Sequence, residues 1–257
     1  MKRRQFVSGV AAAGLANAMA AEPANPAIFE LHYFYMQSGS QVDRTTQYLS
    51  NVLLPAAQRL GMGPMGFFSP VVGERSPYIL CLETYSSLAQ METLPKKFAD
   101  DKEFLKGWDA YNNIQDPPYV RMESTLLRAF ESMPSIETRS ADARRAARIF
   151  EMRTYESVNE KASMRKVQMF GNGEIGIFRR LGMTPVFFAQ TVVGRNLPSL
   201  TYMLAFDDLA ARERLWREFG ADPEWQKLRA QPGLSDAEIV SNITNTILRP
   251  LPFSQVR

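Results

Sequence analysis

The residues best suited to chemistry alternate along two short stretches. Glu30, His32 and Phe34 fall at every second position of Ile28 to Tyr35, and Glu151, Arg153 and Tyr155 do so in Ile149 to Tyr155. Period two puts each trio on one strand face, opposite Phe29, Leu31, Tyr33 and Tyr35 in the first stretch. A carboxylate next to an imidazole or a guanidinium has two uses. It can pair structurally across strands, or it can line a ligand site with the neighbouring aromatic ring as an apolar wall. His32 alone could also act as a base or a metal ligand.

Other chemistry is thinly represented. His32 is the single histidine and Cys81 the single cysteine, so no zinc site of His and Cys is expected and no intrachain disulfide can form. Neither a metal nor a cofactor is expected. Cys81 lies inside an apolar run, which favours burial over reactivity. Gly171-Asn172-Gly173-Glu174 is glycine-rich, but no strand precedes it and no Gly-Lys-Ser/Thr follows, so a phosphate loop does not fit. A nucleophile elbow and a dinucleotide fingerprint are also missing.

The elements that must carry these residues are written twice. Ile28-Phe29-Glu30 returns as Ile149-Phe150-Glu151, an offset of 121 residues. The same offset carries Arg59-Leu60-Gly61-Met62 onto Arg180-Leu181-Gly182-Met183, and Val71-Val72-Gly73 onto Val192-Val193-Gly194. It also carries Asp101 onto Asp222 and Leu127-Arg128 onto Leu248-Arg249, without a gap. Self-similarity at a fixed period is a strong architectural signal. Each unit reads strand, long helix, two strands, helices and a last strand. In the first unit the strands fall at about 28–35, 65–73, 78–85 and 119–128, and the long helix at about 42–60, with Pro55 expected to kink it or end its first part. In the second the strands fall at 149–155, 185–194, 200–206 and 240–249. The long helix falls at 160–181, with Gly171 and Gly173 expected to weaken it.

The order β-α-β-β-α-β is the ferredoxin-like plan. It leaves one sheet face bare per unit, and two units packed face to face would cover both. The expected fold is therefore α+β, with two tandem ferredoxin-like units packed as a pseudo-dimeric α/β barrel. Repeat one spans 28–128, a linker spans 129–148 with one short helix expected over 141–148, and repeat two spans 149–253.

The repeated Phe-Glu-Leu/Met-x-x-Phe/Tyr strand and the Leu-Gly-Met after the long helix resemble the NIPSNAP family. So do the strand ending in Val-Val-Gly, the Tyr/Phe-x-x-Leu-Ala helix start, the Asp-x-Glu-Trp/Phe segment and the closing Leu-Arg. The resemblance covers about 28–130 and 149–253 and implies the dimeric α/β-barrel class. The family's usual first strand has arginine where this chain has His32; the second unit keeps it as Arg153. No catalytic residues come with the resemblance.

Composition sets outer limits. The net charge of +3 comes from Lys2, Arg3 and Arg4 at the start; without 1–20 the charges balance. A neutral chain has no field for nucleic acid. Lys2-Arg3-Arg4-Gln5-Phe6-Val7 resembles a twin-arginine export signal, followed by a weakly apolar run and Ala18-x-Ala20. Residues 1–20 are expected to be a cleaved signal peptide and 21–27 a leader. The destination is then periplasmic or secreted, with no integral membrane segment after cleavage.

The expected function is an exported small-molecule-binding or interaction module, with self-association left open. The alternative is a cofactor-independent monooxygenase-like enzyme of the same barrel class; enzyme or not is undecided at this level. A lumen filled by Phe34, Phe67, Phe188 and Tyr155 would argue for interaction alone. Structural ion pairs are expected between Glu30 and Arg128 and between Glu151 and Arg249, because the end of strand four lies beside the start of strand one.

Overall fold

Among the described residues apolar side chains build eight strands, and a computed structural model joins them in one closed antiparallel barrel. The structure describes residues 25–73, 75–138 and 148–257. The expected signal peptide, and the expected helix at 141–148 except for Arg148, lie outside these residues. The first half supplies β1 (Ile28–Tyr35), β2 (Gly66–Val72), β3 (Tyr78–Tyr85) and β4 (Arg121–Ala129). The second half supplies β5 (Ile149–Glu156), β6 (Thr184–Val193), β7 (Ser199–Phe206) and β8 (Asn242–Pro250). Around the barrel the order is β1-β3-β2-β8-β5-β7-β6-β4. Each half holds four consecutive places, and the halves meet at two seams, β2 with β8 and β4 with β6. Closure removes the free sheet edges.

The helices follow the expected order. In the first half, α1 (Ser40–Tyr48) and α2 (Leu54–Arg59) flank a π turn at Leu49–Leu53, and α3 (Leu88–Asp100) and α4 (Lys102–Tyr111) follow β3. In the second, α5 (Glu160–Met169) and α6 (Ile175–Arg180) flank a π turn at Phe170–Glu174, and α7 (Leu209–Ala221), α8 (Pro223–Arg229) and α9 (Asp236–Ile239) follow β7. The two π turns stand 121 residues apart, so they belong to the repeat. Of the two effects expected of Pro55, the structure shows the divided helix, with α1 and the π turn ending just before it. Pro55 sits in the first turn of α2, where no amide donor is needed. Gly173 leaves helical backbone angles, which interrupts the second long helix where its glycines predicted weakness. Ser87, Asp101, Asp208 and Asp222 each cap a helix by accepting from a backbone amide two or three residues on.

The barrel interior is packed solid. Phe29, Leu31, Phe68, Leu82, Leu127, Phe150, Phe187, Met203 and Leu248, drawn from all eight strands, form one buried cluster. Across the two halves Phe29 meets Phe187 at 5.3 Å and Phe68 meets Phe150 at 5.1 Å between ring centroids. Each such side chain contributes about 1.5–3 kcal/mol by leaving water. The outer strand faces pack under the helices in two further clusters, one per half. Phe34 and Phe67 belong to the first of these outer layers, and Phe188 and Tyr155 to the second. The barrel is full, but those four aromatics lie outside it.

Candidate functional site

The same geometry relocates the polar strips. Because Phe29 and Leu31 turn inward, Glu30, His32 and Phe34 turn outward, beneath the helices and not into a lumen. In the first half Glu30 lies directly opposite Glu83 on β3, and His32 lies opposite Ser124 on β4. The His32 Nε2 sits 2.8 Å from Glu30 Oε1, and its Nδ1 sits 3.1 Å from Glu83 Oε1. Ser124 Oγ donates to Glu30 Oε1 at 2.5 Å. The Tyr85 hydroxyl donates to Glu83 Oε2 at 2.5 Å and reaches Glu30 Oε2 at 3.2 Å.

Burial and hydrogen bonds compete at His32, Glu30 and Tyr85. Burial alone would lower the His32 pKa, but hydrogen bonds and charge from Glu30 and Glu83 outweigh it and push it up to about 10. Burial pulls the Glu30 pKa the other way, yet the His32, Ser124 and Tyr85 contacts hold it below the ordinary carboxylate value. Burial, then Glu83, raises the Tyr85 phenol, which stays a donor. At neutral pH the imidazole is thus a cation held at both nitrogens. It can donate a proton or orient an anion, but it is not a free base.

The second half solves the same position differently. Glu151 is fully buried and accepts from four directions: Arg153 Nη1 at 3.1 Å, Arg212 Nε at 2.8 Å, Arg212 Nη2 at 2.6 Å and Trp216 Nε1 at 2.6 Å. The Arg153 guanidinium stacks 4.7 Å above the Trp216 ring and 5.5 Å from that of Tyr155. Tyr155 shares a 2.9 Å hydrogen bond with Tyr202. Deeper still, Lys166 Nζ meets Glu174 at 3.1 Å, and both side chains are almost wholly buried. One carboxylate facing two guanidiniums reads as a closed structural knot.

The expected pairs Glu30–Arg128 and Glu151–Arg249 do not form. The register puts Arg128 opposite Ile28 and Glu30 opposite Leu126, so the arginine stands two residues nearer the strand end and reaches solvent. Arg249 pairs across the seam with Ser69, while Glu151 lies opposite Ile247. Nearer donors already occupy both carboxylates. The ion pair that does repeat joins other members of the repeat, Arg59 with Asp101 at 2.6 Å and Arg180 with Asp222 at 2.9 Å.

Released from its expected partner, Arg128 borders an open cleft of about 500 Å³. Gln190, opposite it on β6, shares the wall with Phe130, Ser132, Val167 and Asn172. The π turn shapes the floor: a Cβ on Gly171 would lie 3.3 Å from Ser132, so glycine lets the connection after β4 approach closely. Among the described residues Arg128 has no ion pair. Sequence reasoning missed Glu83, Tyr85, Ser124, Arg212, Trp216 and Gln190. Only Glu83 left a trace, as the one acid in the apolar run of β3.

Residues 150–255 match the family model described as NIPSNAP. None of the curated proteins compared with the chain matches it. Among solved structures, a candidate monooxygenase from Lactobacillus acidophilus NCFM superposes with a TM-score of 0.60 at 7% identity, over 88% of this chain and 94% of that one. An anthrone oxidase-like protein gives 0.55 at 11%, over 88% and 92%. These two share the overall fold. An uncharacterised NIPSNAP-like domain protein from Burkholderia xenovorans is 25% identical over 42% of this chain and 89% of its own, with a TM-score of 0.38.

Proposed function

We propose that the chain is a NIPSNAP-like protein that binds a small anionic molecule with an apolar body in the Arg128 cleft. The observation that carries this reading is a strand-end guanidinium with no ion pair among the described residues, on the wall of a cleft of about 500 Å³. That volume falls in the range of small-molecule sites, and Phe130 and Val167 supply apolar wall beside the polar Gln190 and Asn172. Titration with decanoate, a monocarboxylate with an apolar tail, tests it calorimetrically. Wild type should bind, and Arg128→Gln should bind at least about tenfold more weakly, the loss of one charge-assisted contact. Equal affinities would remove Arg128 from the site, and no binding to wild type would remove this ligand class.

The architecture behind the reading is a pair of fused ferredoxin-like units, 28–128 and 149–253, joined by 129–148 and packed as a pseudo-dimeric α/β barrel. The strand order, four consecutive places per half, supports it, as does the family match over the second unit. A second reading, catalysis of the cofactor-independent monooxygenase type, draws on two neighbours of the same fold, one named as a candidate monooxygenase and one as anthrone oxidase-like. Oxygen uptake with an anthrone as substrate tests it. For the first twenty residues the proposal is twin-arginine export. Arg3→Lys with Arg4→Lys should trap the protein in the cytoplasm, and undiminished export would end that idea. Among the described residues no helix is long and apolar enough to cross a membrane.

A further inference from the structure

We infer that Glu30, His32 and Glu83 form a binding site for a divalent transition-metal cation in the first half of the barrel. The site is separate from the Arg128 cleft, so neither reading depends on the other. One ligand atom from each of the three side chains lies within 4.8 Å of the other two. The two carboxylates face each other across the β1–β3 ladder, and His32 lies one step along the same face. Ser124 and Tyr85 donate hydrogen bonds to the carboxylate oxygens, which is the outer support that metal-binding carboxylates ordinarily carry.

Charge gives an independent reason. Glu30 and Glu83 are both buried, and among the described residues neither has a lysine or arginine partner; His32 is the only cation in reach. Two carboxyl groups thus face each other with no lysine or arginine between them. A divalent ion with two carboxylates and a neutral imidazole brings the sum to zero. Burying an unbalanced charge is costly, so the cluster favours the balanced state.

The other half shows that the fold itself does not require this set. A step of 121 residues replaces His32 by Arg153, Glu83 by Leu204, Tyr85 by Phe206 and Ser124 by Asn245, while Glu30 is kept as Glu151. There two arginines close on one carboxylate, and the site has a surplus of cation. The acids outnumber the cations only in the first half.

One imidazole nitrogen and two carboxylate oxygens suit zinc, manganese or ferrous iron better than magnesium or calcium. With each ligand about 2.1 Å from the ion, neighbouring ligand atoms stand roughly 3.0–3.4 Å apart. In the unliganded cluster Glu30 meets Nε2 at 2.8 Å and Glu83 meets Nδ1 at 3.1 Å, so binding requires one carboxylate to swing to the nitrogen that the other now holds. On binding, one imidazolium N–H releases its proton to solvent and that nitrogen bonds the metal. Beside the cluster, Ser124 and Met122 of β4 are exposed.

Because the chain has a single histidine, the test can be direct. The full chain, untagged and stripped of metal, is titrated with Zn²⁺ while the imidazole ¹⁵N resonances are followed, and bound zinc is counted by elemental analysis. One zinc per chain should bind, with one imidazole nitrogen shifting as a metal ligand. Glu83→Gln should weaken binding at least tenfold, and Arg128→Gln should leave it unchanged. An unperturbed imidazole at saturating zinc, or no stoichiometric zinc on the wild-type chain, overturns the proposal even if the Glu83 variant fails to fold. Retention of wild-type affinity by a folded Glu83→Gln overturns it as well.

Discussion

Replacing Glu151 by Gln should be among the most damaging single changes in the chain. The carboxylate is fully buried and holds two guanidiniums and an indole N–H through four contacts of 2.6–3.1 Å. Glutamine keeps the shape but removes the charge, and its amide nitrogen would face donors. Arg153 and Arg212 would then stand half-buried without a counter-ion. Breaking a buried pair from one side costs about 3–5 kcal/mol. In a chain of this size 1 kcal/mol corresponds to a melting shift of roughly 2–4 °C, so the variant should melt about 6–20 °C lower. The sign of the pH dependence follows. Burial pushes the Glu151 pKa up, but Arg212, Trp216 and Arg153 outweigh it and hold it below its ordinary value of 4.5. A carboxyl depressed in the folded state contributes stability above its unfolded pKa and loses it as pH falls through the folded value. The gap between wild type and variant should therefore be full at neutral pH and shrink below about pH 4. Calorimetric scans at pH 7 and pH 3 measure both. A shift under about 2 °C at neutral pH, or a gap that does not narrow in acid, would refute the reasoning.

The buried Lys166–Glu174 pair makes a complementary case: Lys166→Met alone should cost about 3–5 kcal/mol, whereas Lys166→Met with Glu174→Leu should recover most of it in denaturant titrations. At the contact between α4 and the first π turn, a Cβ on Gly107 would lie 2.5 Å from a Val52 methyl. Gly107→Ala should therefore cost about 1–3 kcal/mol by thermal melting, and Val52→Ala added to it should relieve the clash.

The repeat and the helix caps were legible because they depend on neighbours in sequence. Ser87, Asp101, Asp208 and Asp222 cap their helices through amides no more than three residues on, which is local chemistry. Strand faces were legible too, but not which face looks inward. Phe29 and Ile28 lie on opposite faces of β1 and both are buried, so hydrophobicity does not distinguish barrel interior from helix layer. The candidate site suffered most from this. Glu30, His32, Glu151 and Arg153 were identifiable as a polar strip, but their partners come from β3, β4 and α7, and only the register supplies them. The Arg128 expectation failed by two residues of register, a difference that topology alone does not fix.

The joining of both halves in one chain through the β2–β8 and β4–β6 seams has an evolutionary consequence. In a barrel assembled from two copies of one polypeptide, a substitution is installed twice, and any charge it adds is added on both sides. Here each change is made once. Position 83 can be an acid while position 204 is leucine, and position 32 histidine while position 153 is arginine. A symmetric assembly would carry two copies of any such specialisation or none, whereas this chain can keep one half as scaffold and let the other drift toward a new use.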